Sequence, residues 1–222
     1  MLQRMAPGKS ATLITEFLLL FVVLPLAFRL LPRQGSPLPA LWAAAAYCLY
    51  VLFRSSGFDS TRLWNSRPWS GSLRSIVIVF AITAMITTCA VWRLRPQMLF
   101  GLVRNYPLLW ALVMVLYPVL SVYPQRIVYR AFFCERYRPL FPQPSAMILA
   151  SAAAFAFSHI IFRNPWSVVL TFFAGLLFAW RYQATGSLLV SSLEHALYGC
   201  LMFTVGLGSL FYHGAHRAVL GR

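Results

Sequence analysis

Residues 75–92 read "SIVIVFAITAMITTCAVW", a run without one charged side chain. About 20 apolar residues in a helix cross the hydrocarbon core of a bilayer, and a helix satisfies every backbone polar group within its own segment. This run is therefore read as a membrane span. Comparable runs lie near 11–31 ("ATLITEFLLLFVVLPLAFRLL"), 38–53, 108–134, 145–162, 166–182 and 187–207. The 222 residues are 60% hydrophobic and 16% aromatic, with mean hydropathy +0.71. The 19 Lys and Arg and 4 Asp and Glu fall mostly between the runs. The expectation is an all-α, polytopic integral membrane bundle of about seven transmembrane helices, within six to eight, forming a single membrane domain over 1–222.

The longest polar connection, 54–74 ("RSSGFDSTRLWNSRPWSGSLR"), reads as a loop. "MLQRMAPGKS" before the first apolar run resembles the start of a secretory signal. That run is long and lacks a small-residue cleavage site, so the expectation is a retained first span. The formal charge of +15 gathers at the ends of spans, where Arg and Lys snorkel and meet anionic lipid. Membrane lipids, not nucleic acid, are the partners this charge implies. Cys48, Cys89, Cys134 and Cys200 stand singly in apolar runs, as packing residues rather than a metal cluster or disulfide framework.

Ionisable groups at membrane depth are costly and face the interior of a bundle, with a partner or a task. In residues 121–141, "SVYPQRIVYRAFFCERYRPLF", a fourth span beginning near Trp110 runs to about Glu135, with Pro124 as a kink. Ending that span at Pro124 is the other reading. The first places Gln125, Arg126 and Arg130 within the membrane. In the fifth span Phe155 and His159 share a helix face, four residues apart. Glu194 and His195 sit near the centre of the seventh, with Gly199 one turn on. His213 and His216 follow the last span and read as interfacial.

"QRIVYR" (Gln125 to Arg130), "FAFSH" (Phe155 to His159) and "HALYG" (His195 to Gly199) stand in the order of three motifs, EExxxR, FxxxH and HxxxN. In this the chain resembles the CPBP family of membrane-embedded proteases. That family includes the type 2 CAAX prenyl proteases and bacterial relatives tied to bacteriocin processing and self-immunity. The motif-bearing core is about 106–207. The resemblance implies a water-activating glutamate at position 125, a second glutamate at 126, two histidines that bind water and move protons, and an Asn at 199 that steadies the oxyanion. It also implies hydrophobic, lipidated or transmembrane peptide substrates and a place in a bacterial inner membrane. In this chain Arg130, Phe155, His159 and His195 keep the pattern, while Gln125, Arg126 and Gly199 depart from it. An amide is no general base near neutrality, and glycine has no side chain to donate a hydrogen bond.

Two arginines one turn apart repel and do not deprotonate, so an acid is expected beside them. Glu194 is the acid at comparable depth, and an Arg126–Glu194 pair is the expectation. Glu135 is expected to meet Arg138 instead. Two functions follow. One is an endopeptidase in which Glu194 polarises a water held by His159 and His195, with Arg126 or Arg130 as oxyanion donor. The other is a pseudoprotease that binds a peptide or partner helix in immunity or regulation. A small transporter using the polar cluster is a weaker third reading. No cofactor is expected, and no metal, since there is no HExxH motif and His159, His195 and Glu194 would give three ligands at most.

Overall fold

The computed structural model of the chain describes residues 7–30 and 36–211, and the regular elements among them are all helical. In chain order the spans and near-spans are α1 (Ser10–Leu30), α2 (Leu38–Phe53), α3 (Trp69–Leu94), α4 (Pro107–Arg136), α5 (Pro144–Phe162), α6 (Pro165–Thr185) and α7 (Leu188–Val205). Six of them are long and apolar enough to cross a membrane; α2 is shorter. At about 1.5 Å per residue, α2 reaches roughly 24 Å of a core about 30 Å thick. The bundle is a polytopic helical membrane fold, as its hydropathy implies.

Local chemistry sets the boundaries. Pro107, Pro144 and Pro165 open α4, α5 and α6, where a missing N–H costs nothing. Asn164 and Ser187 cap α6 and α7 by accepting from the N–H groups of Trp166 and Val190. Gly186 and Gly206 close the same two helices at φ +61° and +97°, a region open to glycine without strain. The connection expected over 54–74 is shorter than the sequence suggested. After Pro68 the polar residues 69–74 already belong to α3, since a span begins in the headgroup layer before it reaches hydrocarbon. Within the connection, the Asp59 carboxylate accepts from the N–H and Oγ1 of Thr61 at 3.0 and 2.6 Å. These bonds hold its pKa below the usual carboxylate value.

Helix α4 runs unbroken through Pro118 and Pro124, so the span does not end at Pro124. Two π-helical segments, Pro118–Val122 and Ile127–Phe132, absorb the disturbance. Pro124 has no N–H to return to Leu120 one turn back, and the Leu120 carbonyl accepts from the Trp42 indole Nε1 at 3.0 Å. The segment after Pro124 is the most deeply packed part of the chain. Ile127 to Cys134 are all buried, in an aromatic core with Phe21, Tyr137 and Phe155.

The end of α4 is tied back to α1. Glu16 accepts from Arg136 Nε and Nη2 at 2.9 and 2.8 Å and from the Tyr137 hydroxyl at 3.0 Å. Burial raises the pKa of the Tyr137 phenol, which keeps it a donor. On the other side, the alanine-rich face of α5 lies against α6. A Cβ added at Gly175 would come within 3.2 Å of the Ala152 Cα, the close approach that small residues permit between membrane helices.

Trp42→Phe keeps the ring and removes the donor to Leu120. The expected result is a lower melting temperature in detergent, equivalent to about 0.6–1.7 kcal/mol. Pro124→Ala returns an N–H to the helix and should shrink that loss. An equal loss in both backgrounds would show that the indole is not what satisfies the Leu120 carbonyl.

Candidate active site

Successive helical residues point about 100° apart, so Gln125 and Arg126 cannot face the same way. Gln125 turns along its own helix and donates from Nε2 to Ser121 Oγ at 2.8 Å. Arg126 points inward and is completely buried. Its guanidinium carbon lies 4.7 Å from the Phe155 ring centroid and 4.9 Å from that of Phe178, between α5 and α6. These cation–π contacts satisfy part of the charge. They leave Nε, Nη1 and Nη2 of Arg126 without a hydrogen-bond partner.

Arg130, one turn on, is held by neutral oxygens. Nη1 donates to the carbonyl of Tyr129 at 2.8 Å and to the carbonyl and hydroxyl of Ser151, and Nη2 donates to the Gly175 carbonyl at 3.0 Å. The π-helical turn contributes here: the Phe133 N–H reaches back to Val128, while the Tyr129 carbonyl accepts from Arg130 and from Ser151 Oγ. Arg130 is thus a clamp joining α4, α5 and α6.

Both histidines lie against Phe155, whose ring centroid is 4.7 Å from that of His159 and 5.6 Å from that of His195. The His159 Nδ1 lies 2.8 Å from the Phe155 carbonyl. A carbonyl only accepts, so Nδ1 carries the proton, and in the neutral ring Nε2 keeps the lone pair. His195 is tilted over Phe178 at 4.8 Å, its Nε2 is 3.3 Å from the Tyr117 hydroxyl, and its Nδ1 is buried without a partner. Tyr117, from the first half of α4, is a contributor that sequence reasoning missed. The hydroxyl end of its ring lies against Gly199, where an added Cβ would collide with the phenol. The position where the motif has Asn is therefore covered by a phenolic hydroxyl from another helix.

The expected Arg126–Glu194 pair does not form. Glu194 is completely buried and accepts from Arg181 Nε at 2.9 Å and Nη2 at 3.0 Å, a two-point ion pair. Arg181 also donates to Ser75 Oγ in α3 at 2.9 Å. Arg181 stands one turn before the end of α6 and Glu194 less than two turns into α7, so the tight turn at Gly186 brings them together. The sequence analysis did not single out Arg181. Glu194 and His195 are neighbours in sequence, yet their hydrogen bonds run in different directions, to Arg181 and to Tyr117. The expected Glu135–Arg138 pair is present at 2.9 Å. His213 and His216 lie outside the described residues. Among the described residues no three of His, Cys, Asp and Glu gather so as to hold a metal ion.

Residues 106–201 match the family model described as Rce1-like, type II CAAX prenyl endopeptidase. The motif-bearing segment is similar to that family. The matched segment contains all three motif positions. No curated protein and no solved structure shows significant similarity to the chain. In the matched segment the second motif position, held by Arg126, lies against the Phe155 ring that both histidines touch, and the first, Gln125, turns aside to Ser121.

Breaking the buried Arg181–Glu194 pair from one side strands a charge, so Glu194→Gln should cost about 3–5 kcal/mol by thermal melting. Arg181→Met combined with Glu194→Leu should recover much of it. Additive losses in the double-mutant cycle would disprove the pair.

Gly199→Ala drives a methyl into the Tyr117 ring and should destabilise the bundle by about 1–3 kcal/mol. Shortening Tyr117 to Ala in the same chain removes the collision. A neutral Gly199→Ala would show that the ring yields there without cost.

Proposed function

We propose that this protein is a non-hydrolysing, CAAX-protease-like receptor in a bacterial inner membrane, binding hydrophobic, lipidated or transmembrane peptide segments at the α4–α7 site. The supporting observation is that, among the described residues, no carboxylate serves the site. Position 125 is an amide turned toward Ser121, position 126 is a guanidinium between two aromatic rings, and Glu194 is occupied by Arg181. Peptide hydrolysis by water needs a base that takes its proton. The remaining features suit recognition: a buried aromatic cluster in a bundle whose outer faces carry exposed Leu, Val and Ile, as a lipid-facing surface does.

One observation favours a second reading, a slow endopeptidase. His159 has its Nδ1 proton fixed on the Phe155 carbonyl, so Nε2 can take a proton from water without any carboxylate. Arg126 or the Tyr117 hydroxyl would then donate to the oxyanion, with His195 in contact with that hydroxyl.

The test is cleavage of a prenylated CAAX peptide by the purified protein in nanodiscs, beside binding of the same peptide. Expected are saturable binding, weakened by His159→Ala and His195→Ala, and no cleavage by wild type. Gln125→Glu with Arg126→Glu replaces the guanidinium by carboxylates at both motif positions and is expected to introduce cleavage. Cleavage by wild type that disappears in both histidine variants would replace the receptor reading by the endopeptidase one.

A further inference from the structure

The four acids of the chain are all occupied: Glu16 with Arg136, Asp59 with Thr61, Glu135 with Arg138 and Glu194 with Arg181. Arg126 and Arg130 therefore sit side by side in the bundle interior without a carboxylate. Arg130 makes four bonds to neutral oxygens, and only its Nε lacks one. Arg126 makes none: its entire guanidinium is buried, and every nitrogen lacks an acceptor. Aromatic faces do not replace hydrogen-bond acceptors, and an unsatisfied buried charged donor costs more than a neutral one. A planar fork of donors is the group best matched to a carboxylate, which it can bind at two points.

We propose that Arg126 is the receptor for a carboxylate carried by the bound hydrophobic segment. This rests on the peptide-binding reading above and adds what the site selects. The surroundings define the rest of the ligand. The Phe155 and Phe178 rings lie 4.7 and 4.9 Å from the guanidinium carbon, so the group bearing the carboxylate meets aromatic walls and is apolar. On this proposal the segment enters between α4 and α7. Tyr117 is half-buried there, resting over Gly199 with its hydroxyl on His195, and residues on either side of it, such as Val115, Val119 and Leu197, are exposed on the outer, lipid-facing surface. Swinging the Tyr117 ring outward opens a path from the bilayer to His195 and then Arg126. A free C-terminal carboxylate on an apolar peptide and the head of a fatty acid share this chemistry, and the peptide is the source the proposal favours.

The experiment uses the full chain in nanodiscs and a short fluorescent Leu/Ala peptide, prepared as the free acid and as the C-terminal amide, with anisotropy as the readout. Dodecanoate and dodecanol serve as competitors. The acid is expected to bind about 10- to 100-fold more tightly than the amide. Arg126→Gln should abolish the preference for the acid over the amide. Because the comparison of acid with amide is made on wild type, it stands even if the variant fails to fold. Equal binding of acid and amide, with dodecanoate no better than dodecanol, overturns the proposal and leaves peptide binding intact. If neither peptide binds but dodecanoate does so through Arg126, the carboxylate receptor stands, its ligand is a fatty acid, and the peptide reading fails. A melting temperature raised by chloride over gluconate, lost in Arg126→Gln and without any acid preference, means that a halide satisfies the guanidinium, and the proposal is wrong.

Discussion

A guanidinium taken into a bundle interior without a carboxylate must be stabilised by whatever neutral groups the helices can bring to it, and this requirement shapes the centre of the protein. Arg130 collects carbonyls from three helices. To supply them, α4 adopts a π-helical turn beside Tyr129, and α5 and α6 approach until Gly175 meets Ala152. Phe155 then serves as the common surface: both arginines, both histidines and Tyr129 all lie against its ring. An alanine-rich α5 with one large aromatic at that position is what such an arrangement needs. The smaller residues let the backbones close, and the phenyl ring fills the space that remains.

The spans were legible in the sequence because lipid imposes a length and a polarity that few other environments demand. Even α4, interrupted by two prolines and carrying four charged residues, was readable as one helix. The reason is that "RIVYRAFF" keeps the apolar character that a surface segment would have lost. The order of Arg130, Phe155, His159 and His195 was legible too, since their types and spacing are local properties. Pairing was not. Which acid meets which base depends on the turn at Gly186, which sets Arg181 beside Glu194 and leaves Arg126 alone. Two signals could have shown it: the short Gly–Ser connection that makes α6 and α7 an antiparallel hairpin, and the fact that Arg181 lies a full turn inside its helix. Tyr117 was hidden for a similar reason, as an aromatic on a face that otherwise reads as lipid-exposed.

The same geometry explains why adjacency in sequence misleads here. Glu194 and His195 are consecutive, and a pair of that kind reads as one functional unit. On a helix they diverge, one toward the α3–α6 side and one toward Tyr117. The structural ion pair and the aromatic–histidine cluster thus occupy the same level of the bundle yet remain separate. Glu194 can anchor α6 to α7 without touching the chemistry of the site.

The close fit of Tyr117 over Gly199 also bears on how such a chain could change over time. An Asn cannot enter at 199 while the ring is in place, and losing the ring first uncovers the glycine before any side chain has arrived to fill the gap. Each single step passes through a poorer packing than either end point, so the two positions form a ratchet. A lineage that has put a tyrosine at 117 and a glycine at 199 can vary freely at its lipid-facing positions. It returns to a polar side chain at 199 only by two substitutions made together, whatever selection acts on its function.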